Sequence, residues 1–123
     1  MKTKIVYSDK FLDAVGIFMT IGGITLWPFI ILREKYRGKT NYWKLKAQRI
    51  INHESIHIEQ QKELLVIPFY VLYVLEYVTK LPFYGKKAYY NISFEREAYN
   101  NELNKEYLSQ RKRYAWIKLI FKK

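Results

Sequence analysis

The sequence predicts an α+β chain in which a short N-terminal β-hairpin or sheet edge precedes a mainly helical core. Three observations carry that prediction. Residues 14–32 are uncharged and divide at Gly22-Gly23 into two apolar runs rich in β-branched and aromatic residues, among them Ile17, Phe18, Ile24, Thr25, Trp27 and Ile30. Runs of that composition split by Gly-Gly read as two strands and a turn. From Asn41 to about Ile67, the positions Ala47, Ile50, Ile51, Glu54, Ile58, Gln61 and Leu65 recur mostly at spacings of three and four, the helical period. Two further helical segments follow, one beyond Pro68 and one beyond Ser93.

A chain of 123 residues is read as one domain, 1–123, large enough for a single core. It contains no cysteine, which excludes a disulfide framework, a cysteine-based metal site and a thiol nucleophile. The formal net charge of +11 points to anionic partners: an anionic membrane surface or an acidic protein. Nucleic acid is the less favoured partner, because no recognised nucleic-acid-binding motif is present. The charge gathers in two clusters. One is Arg33, Lys35, Arg37, Lys39, Lys44, Lys46 and Arg49; the other is Arg111, Lys112, Arg113, Lys118, Lys122 and Lys123. The plainer reading of both is a solvated lysine-rich surface.

Taken in order, residues 1–13 mix Lys2, Lys4, Asp9, Lys10 and Asp13 with apolar positions, which breaks the apolar core a secretory signal needs. A cytoplasmic protein is therefore expected. In the hairpin of residues 14–32, Pro28 suits an edge strand or bulge because it cannot donate to a central ladder. The same uncharged length would also suffice for a membrane-spanning helix with the basic run from Arg33 as its cytoplasmic flank, and that is the alternative. Thr40 or Asn41 caps the next helix, and Pro68 ends or kinks it. The second helix runs from Phe69 to about Leu81-Pro82; Leu65–Leu75 is apolar nearly all round, which reads as buried. Residues 82–92 form a loop. Ser93 caps a third helix from Phe94 to about Tyr107, with Glu95 and Glu97 in its first turns where the helix dipole favours carboxylates. In residues 111–123, basic residues alternate with Tyr114, Trp116, Ile117, Leu119, Ile120 and Phe121. That pattern suits a basic amphipathic helix on a membrane or partner, or a terminal helix docked on the core.

The chemistry is concentrated in His53-Glu54-Ser55-Ile56-His57, an H-E-x-x-H that holds both histidines of the chain. On a helix, residues four apart project from one face, so both imidazoles can reach a single ion. Zinc accepts neutral imidazole, and the glutamate after the first histidine lies about 100° round the helix, where it can take a proton from water as general base. The plainer alternative is two incidental histidines satisfied by hydrogen bonds. Two histidines fall short of the three protein ligands of a catalytic zinc site. The third must then be a carboxylate: Glu95 leads, Glu97 is in reserve, and Asp13, Glu59, Glu63 and Glu76 stand behind them. Glu95 and Glu97 are alternatively surface carboxylates matched to the helix dipole.

The H-E-x-x-H followed by Glu95-Arg96-Glu97-Ala98 resembles the gluzincin pattern of zinc metallopeptidases, in which a downstream E-x-x-A helix follows the motif helix. The resemblance implies that His53, His57 and Glu95 bind Zn²⁺ and that Ala98 lets the ligand-bearing helix pack closely. His57-Ile58-Glu59-Gln60-Gln61 is similar to the H-x-x-Q-Q continuation of small bacterial and phage zincin-like domains, whose active-site strand corresponds to the apolar strand before the motif. An extended peptide could pair with such a strand edge. The chain departs from the membrane-linked gluzincin peptidases at Tyr99, where they usually carry Asp, and the electrophile is open among Tyr89, Tyr90, Arg96 and Tyr99. The expected function is thus zinc-dependent hydrolysis of a peptide or protein substrate with Glu54 as base. A non-catalytic zincin-like binding or structural module, and a basic membrane-surface protein, are the alternatives.

Overall fold

The computed structural model describes residues 4–15, 23–37 and 40–122. It is α+β, with a three-stranded sheet and a mainly helical remainder. The chain divides into two compact units, residues 1–58 and 59–123, with the boundary inside one long helix.

The first unit holds the sheet. Strands β1 (Lys4–Tyr7), β2 (Gly23–Leu26) and β3 (Phe29–Leu32) lie in the order β1-β3-β2, with β3 parallel to β1 and antiparallel to β2. Between β1 and β2 lies helix α1 (Asp9–Val15), whose start is capped by the Ser8 hydroxyl accepting the Phe11 N–H at 3.2 Å. The long helix α2 (Asn41–Leu64) follows a 3₁₀ turn at Glu34–Arg37. Ile30 and Leu32 of β3 pack with Ile58 of α2, flanked by Ile50, Ile51, Trp27 and Tyr36.

The predicted hairpin exists, but its turn is elsewhere. The strands β2 and β3 are joined at Trp27-Pro28, a cis peptide bond, and not at Gly22-Gly23. Pro28 therefore sits in the turn rather than on an edge strand or bulge. Gly23 serves close packing instead: a Cβ there would stand 2.8 Å from Leu32 Cδ2 and 3.2 Å from Ile50 Cγ2. The first predicted apolar run, with Ile17, Phe18 and Gly22, lies outside the described residues, as do Lys39 and Lys123 of the basic clusters. Because residues 23–32 are two strands, the alternative of one membrane-spanning helix over 14–32 is overturned. Strand β1 and helix α1 had no counterpart among the predicted elements.

The second unit opens with the last turns of α2. Leu65 and Val66 then both take φ of 61°. Val66 has ψ of −70°, and the Ile67 N–H reaches back to the Leu65 carbonyl at 2.7 Å, which closes a strained γ-turn. Helix α3 (Ile67–Tyr84) starts there, with Pro68 in its first turn where no intrahelical N–H is lost. α3 continues past Pro82 to Tyr84, two residues beyond the predicted end. Two 3₁₀ turns lead to α4 (Ser93–Asn101), and α5 (Tyr107–Gln110) is a single turn. The core of this unit is aromatic: Phe69, Phe94, Trp116 and Ile92 are buried, with Tyr70, Tyr73 and Tyr89 packed on them.

Three expectations fail in this unit. The second helix is not buried, because Phe69 is its one buried side chain, while Val71, Val74, Leu75 and Val78 are each more than half exposed. The third helix ends at Asn101, and Ser93 does not cap it; the Ser93 hydroxyl and N–H both donate to the Glu76 carboxylate, at 2.6 and 2.5 Å. A carboxylate at that helix start does the capping instead. Residues 111–122 form no amphipathic helix, only a 3₁₀ turn at Ile117–Leu119, with Trp116 and Leu119 buried in the unit's core.

Candidate metal centre

Helix α2 presents the motif as its spacing requires. His53 and His57 are buried one turn apart, their ring centroids 4.9 Å from each other and their planes at 74°. The intervening Glu54 is buried as well. A buried carboxylate needs hydrogen-bond donors, and β2 supplies one: the Thr25 hydroxyl lies 2.5 Å from Glu54 Oε2 and 3.1 Å from its main-chain oxygen. Thr25 is itself only 4 % exposed. Thr25→Val keeps the shape and removes that donor, so unfolding free energy should drop by about 1.5–3 kcal/mol, as for hydrogen bonds to charged groups. A urea titration of the variant against the wild type measures it.

Glu95 projects from α4, and the residues around it explain its position. Phe94 anchors the helix between Phe69 and Trp116, with ring centroids 4.7 and 4.6 Å away. Gln60 Nε2 donates to the Phe94 carbonyl at 3.1 Å, and Arg96 donates to the Leu119 carbonyl at 2.7 Å and to Asn91 Oδ1 at 2.7 Å. Ala98 is fully buried. The Tyr73 hydroxyl donates to Glu95 Oε2 at 2.5 Å. Each of His53, His57 and Glu95 offers one ligand atom, and these atoms lie within 4.8 Å of one another; all three residues are buried. This buried group could hold a metal ion: two neutral imidazoles and a carboxylate make a donor set suited to a divalent cation.

The other carboxylates are engaged elsewhere. Glu97, the reserve ligand, is 1 % exposed and accepts from Arg111 Nε at 2.5 Å, Tyr107 at 2.7 Å and Gln60 at 3.0 Å. Asp13 pairs with Arg33, Glu59 with Lys62, Glu63 with Arg111, and Glu76 with Lys80. Glu95 and Glu97 are thus not surface carboxylates. Of the residues considered as electrophile, Arg96 is tied to the Leu119 and Lys122 carbonyls and to Asn91 Oδ1 in its own unit. Tyr89, Tyr90 and Tyr99 form a ring cluster, with centroids 5.1–6.4 Å apart. Burial pushes the Tyr99 hydroxyl up to about 12; a hydrogen bond with Tyr89 works against that rise and the Glu95 charge adds to it, so Tyr99 stays a neutral donor at physiological pH.

Sequence reasoning missed Thr25 and Tyr73. Locally Thr25 reads only as a strand former and Tyr73 only as part of an apolar helix, and nothing in their neighbourhoods marks either as a partner of Glu54 or Glu95. Hydrogen-bonded partners of ligands change metal affinity by about 10–100-fold. Tyr73→Phe, which keeps the ring against Phe94, should weaken metal binding by a factor in that range, measured by competition with a chromophoric chelator. Comparison with protein-family models, with curated proteins and with solved structures finds no match.

Proposed function

We propose that this chain is a zinc-dependent metallopeptidase of the gluzincin kind. The observation that carries the reading is the buried group of His53, His57 and Glu95 with Glu54 between the two histidines in sequence. Zinc suits two imidazoles and a carboxylate better than the oxygen-preferring calcium or magnesium. Held there, zinc would supply Lewis acidity, lowering the pKa of a water and polarising a substrate carbonyl.

The chain's own residues would do the rest. Glu54 takes the proton of the attacking water and returns it to the leaving amine as the C–N bond breaks. Thr25 fixes the orientation of the Glu54 carboxylate, and Tyr73 fixes that of Glu95. Strand β2, at the edge of the sheet, carries Thr25 and offers a ladder on which an extended substrate segment can be laid. The excess positive charge favours acidic substrates. Among the described residues, no single helix is long and apolar enough to cross a membrane.

A second reading keeps the metal without turnover, and Tyr99 in the place of the usual Asp favours it. The two separate in one experiment. Zinc content is measured for the wild type, His53→Ala and Glu95→Ala, alongside hydrolysis of an unstructured protein substrate before and after chelation. Zinc bound by the wild type alone, with hydrolysis lost on chelation and restored by zinc, supports the peptidase. Zinc without hydrolysis leaves the structural module, and no zinc after reconstitution discards both.

A further inference from the structure

Helix α3 has the exposure pattern of a helix that faces a solvent other than water. Every exposed position from Ile67 to Phe83 is uncharged, and most are large and apolar: Val71, Val74, Leu75, Val78, Leu81 and Phe83 are between 38 % and 84 % exposed. Its only charged residues, Glu76 and Lys80, turn the other way. They pair with each other at 2.7 Å, with side chains 12 % and 11 % exposed, and their remaining hydrogen bonds go to Ser93 and to the Asn91 carbonyl. At about 100° per residue, the uncharged exposed positions cover roughly 240° of the helix circumference. A helix packed on a protein core needs a stripe of only about 100°.

We propose that α3 seats in the surface layer of an anionic membrane, with its outer arc among the acyl chains. One protein partner, a second copy of this chain included, would cover a stripe and leave most of such an arc wet. A fluid lipid phase wraps a convex surface completely. Seating the helix there desolvates no charge, since Glu76 and Lys80 already face inward and neutralise each other. The electrostatics select the lipid. Lys86 and Lys87 stand exposed directly after the helix, Lys112 and Arg113 are exposed in the same unit, and the chain carries a net charge of +11. Lysines within reach of a bilayer surface bind anionic headgroups. The 18 residues of α3 span about 27 Å along the axis; among the described residues no single helix is long and apolar enough to cross a membrane, and α3 passes that test only together with α2, as a bent pair. With Phe69 packed on Phe94 and Glu76 bonded to Ser93, the inner face of α3 stays on the protein, so the helix lies in one leaflet. This placement is independent of any metal chemistry.

The test is flotation of the full chain with vesicles of phosphatidylcholine alone and of phosphatidylcholine with one quarter phosphatidylglycerol, at physiological salt. The wild type should float with the anionic vesicles. Val74→Glu/Val78→Glu places charge on the outer arc at exposed positions and should lower binding at least tenfold with an unchanged circular-dichroism spectrum. Lys86→Glu/Lys87→Glu should lower binding to anionic vesicles by a similar factor while leaving any binding to neutral vesicles unaltered. The proposal is overturned if the wild type stays with neither vesicle. It is equally overturned if Val74→Glu/Val78→Glu floats as well as the wild type, which would leave only the basic surface as the attraction. A wild-type dimer in lipid-free solution that the same variant converts to monomer would make a second copy the occupant instead.

Discussion

Glu54→Gln is expected to reduce peptide hydrolysis by about 10²–10⁴-fold, the range that a positioned general base contributes. Zinc should stay bound, because Glu54 is not among the three residues whose ligand atoms converge. Glutamine retains the size of the side chain and an oxygen that can accept from the Thr25 hydroxyl, so the helix and its packing should survive. The variant thus separates proton transfer from folding and from metal binding. Single-turnover hydrolysis beside zinc content reads it. Undiminished cleavage would remove Glu54 from the mechanism and leave the proposed chemistry without its base.

The largest expected effect on stability lies at Arg111. Its side chain is 5 % exposed and faces Glu63 and Glu97, themselves 4 % and 1 % exposed. Both guanidinium terminal nitrogens donate to Glu63, at 2.9 and 3.0 Å, while Nε donates to Glu97 at 2.5 Å. One cation therefore serves two buried anions. The excess negative charge is spread over neutral donors: Tyr107 and Gln60 to Glu97, and the Tyr114 N–H and Trp116 indole to Glu63. Arg111→Met keeps much of the volume and leaves both carboxylates without their cation. Breaking a buried pair from one side costs about 3–5 kcal/mol, so the variant should unfold far earlier in urea, or fail to accumulate folded. Arg111→Lys keeps the charge and loses the fork, and should fall between the two.

The same cluster gives the protein an acid limit. Burial pushes the Glu63 carboxyl up, but the hydrogen bonds from Arg111, the Tyr114 N–H and Trp116, with the Arg111 charge, outweigh it and hold Glu63 below its ordinary value of 4.5. A carboxyl with a depressed folded pKa contributes stability that is fully present above its unfolded value and is lost as pH falls through the folded one. The urea midpoint should therefore decline on acidification below about pH 4.5, and that decline should be smaller in Glu63→Gln.

The metal-site reading was largely legible in the sequence, because its first half is local. Two histidines at a helical spacing of four share a face wherever the helix forms, and the apolar period from Ala47 to Leu65 ensures that it forms. The α+β class was legible for the same reason: runs of two and three-point-six periodicity are properties of neighbours in the chain. Choosing Glu95 over Glu97 was not a local matter. Both sit buried on one short helix, and what distinguishes them is that Arg111, fourteen residues on, claims Glu97, while Tyr73 holds Glu95.

The tail and the second helix make the same point from the other side. Basic and aromatic residues alternate from Arg111 to Phe121, which locally reads as an amphipathic surface helix. Yet Arg111 is drawn inside by carboxylates 14 and 48 residues away in sequence, and Trp116 by the ring of Phe94. Apolar residues all round α3 read as burial, since water is the solvent that hydropathy assumes; the fold buries one narrow face and leaves the rest outward. Sequence by itself determined the helix, the paired imidazoles and the neighbouring carboxylate, because those follow from backbone periodicity. Only the tertiary structure decided which carboxylate joins them, which hydroxyls hold the carboxylates in place, and which apolar surface is left for a partner, because each depends on groups brought together from distant positions by packing.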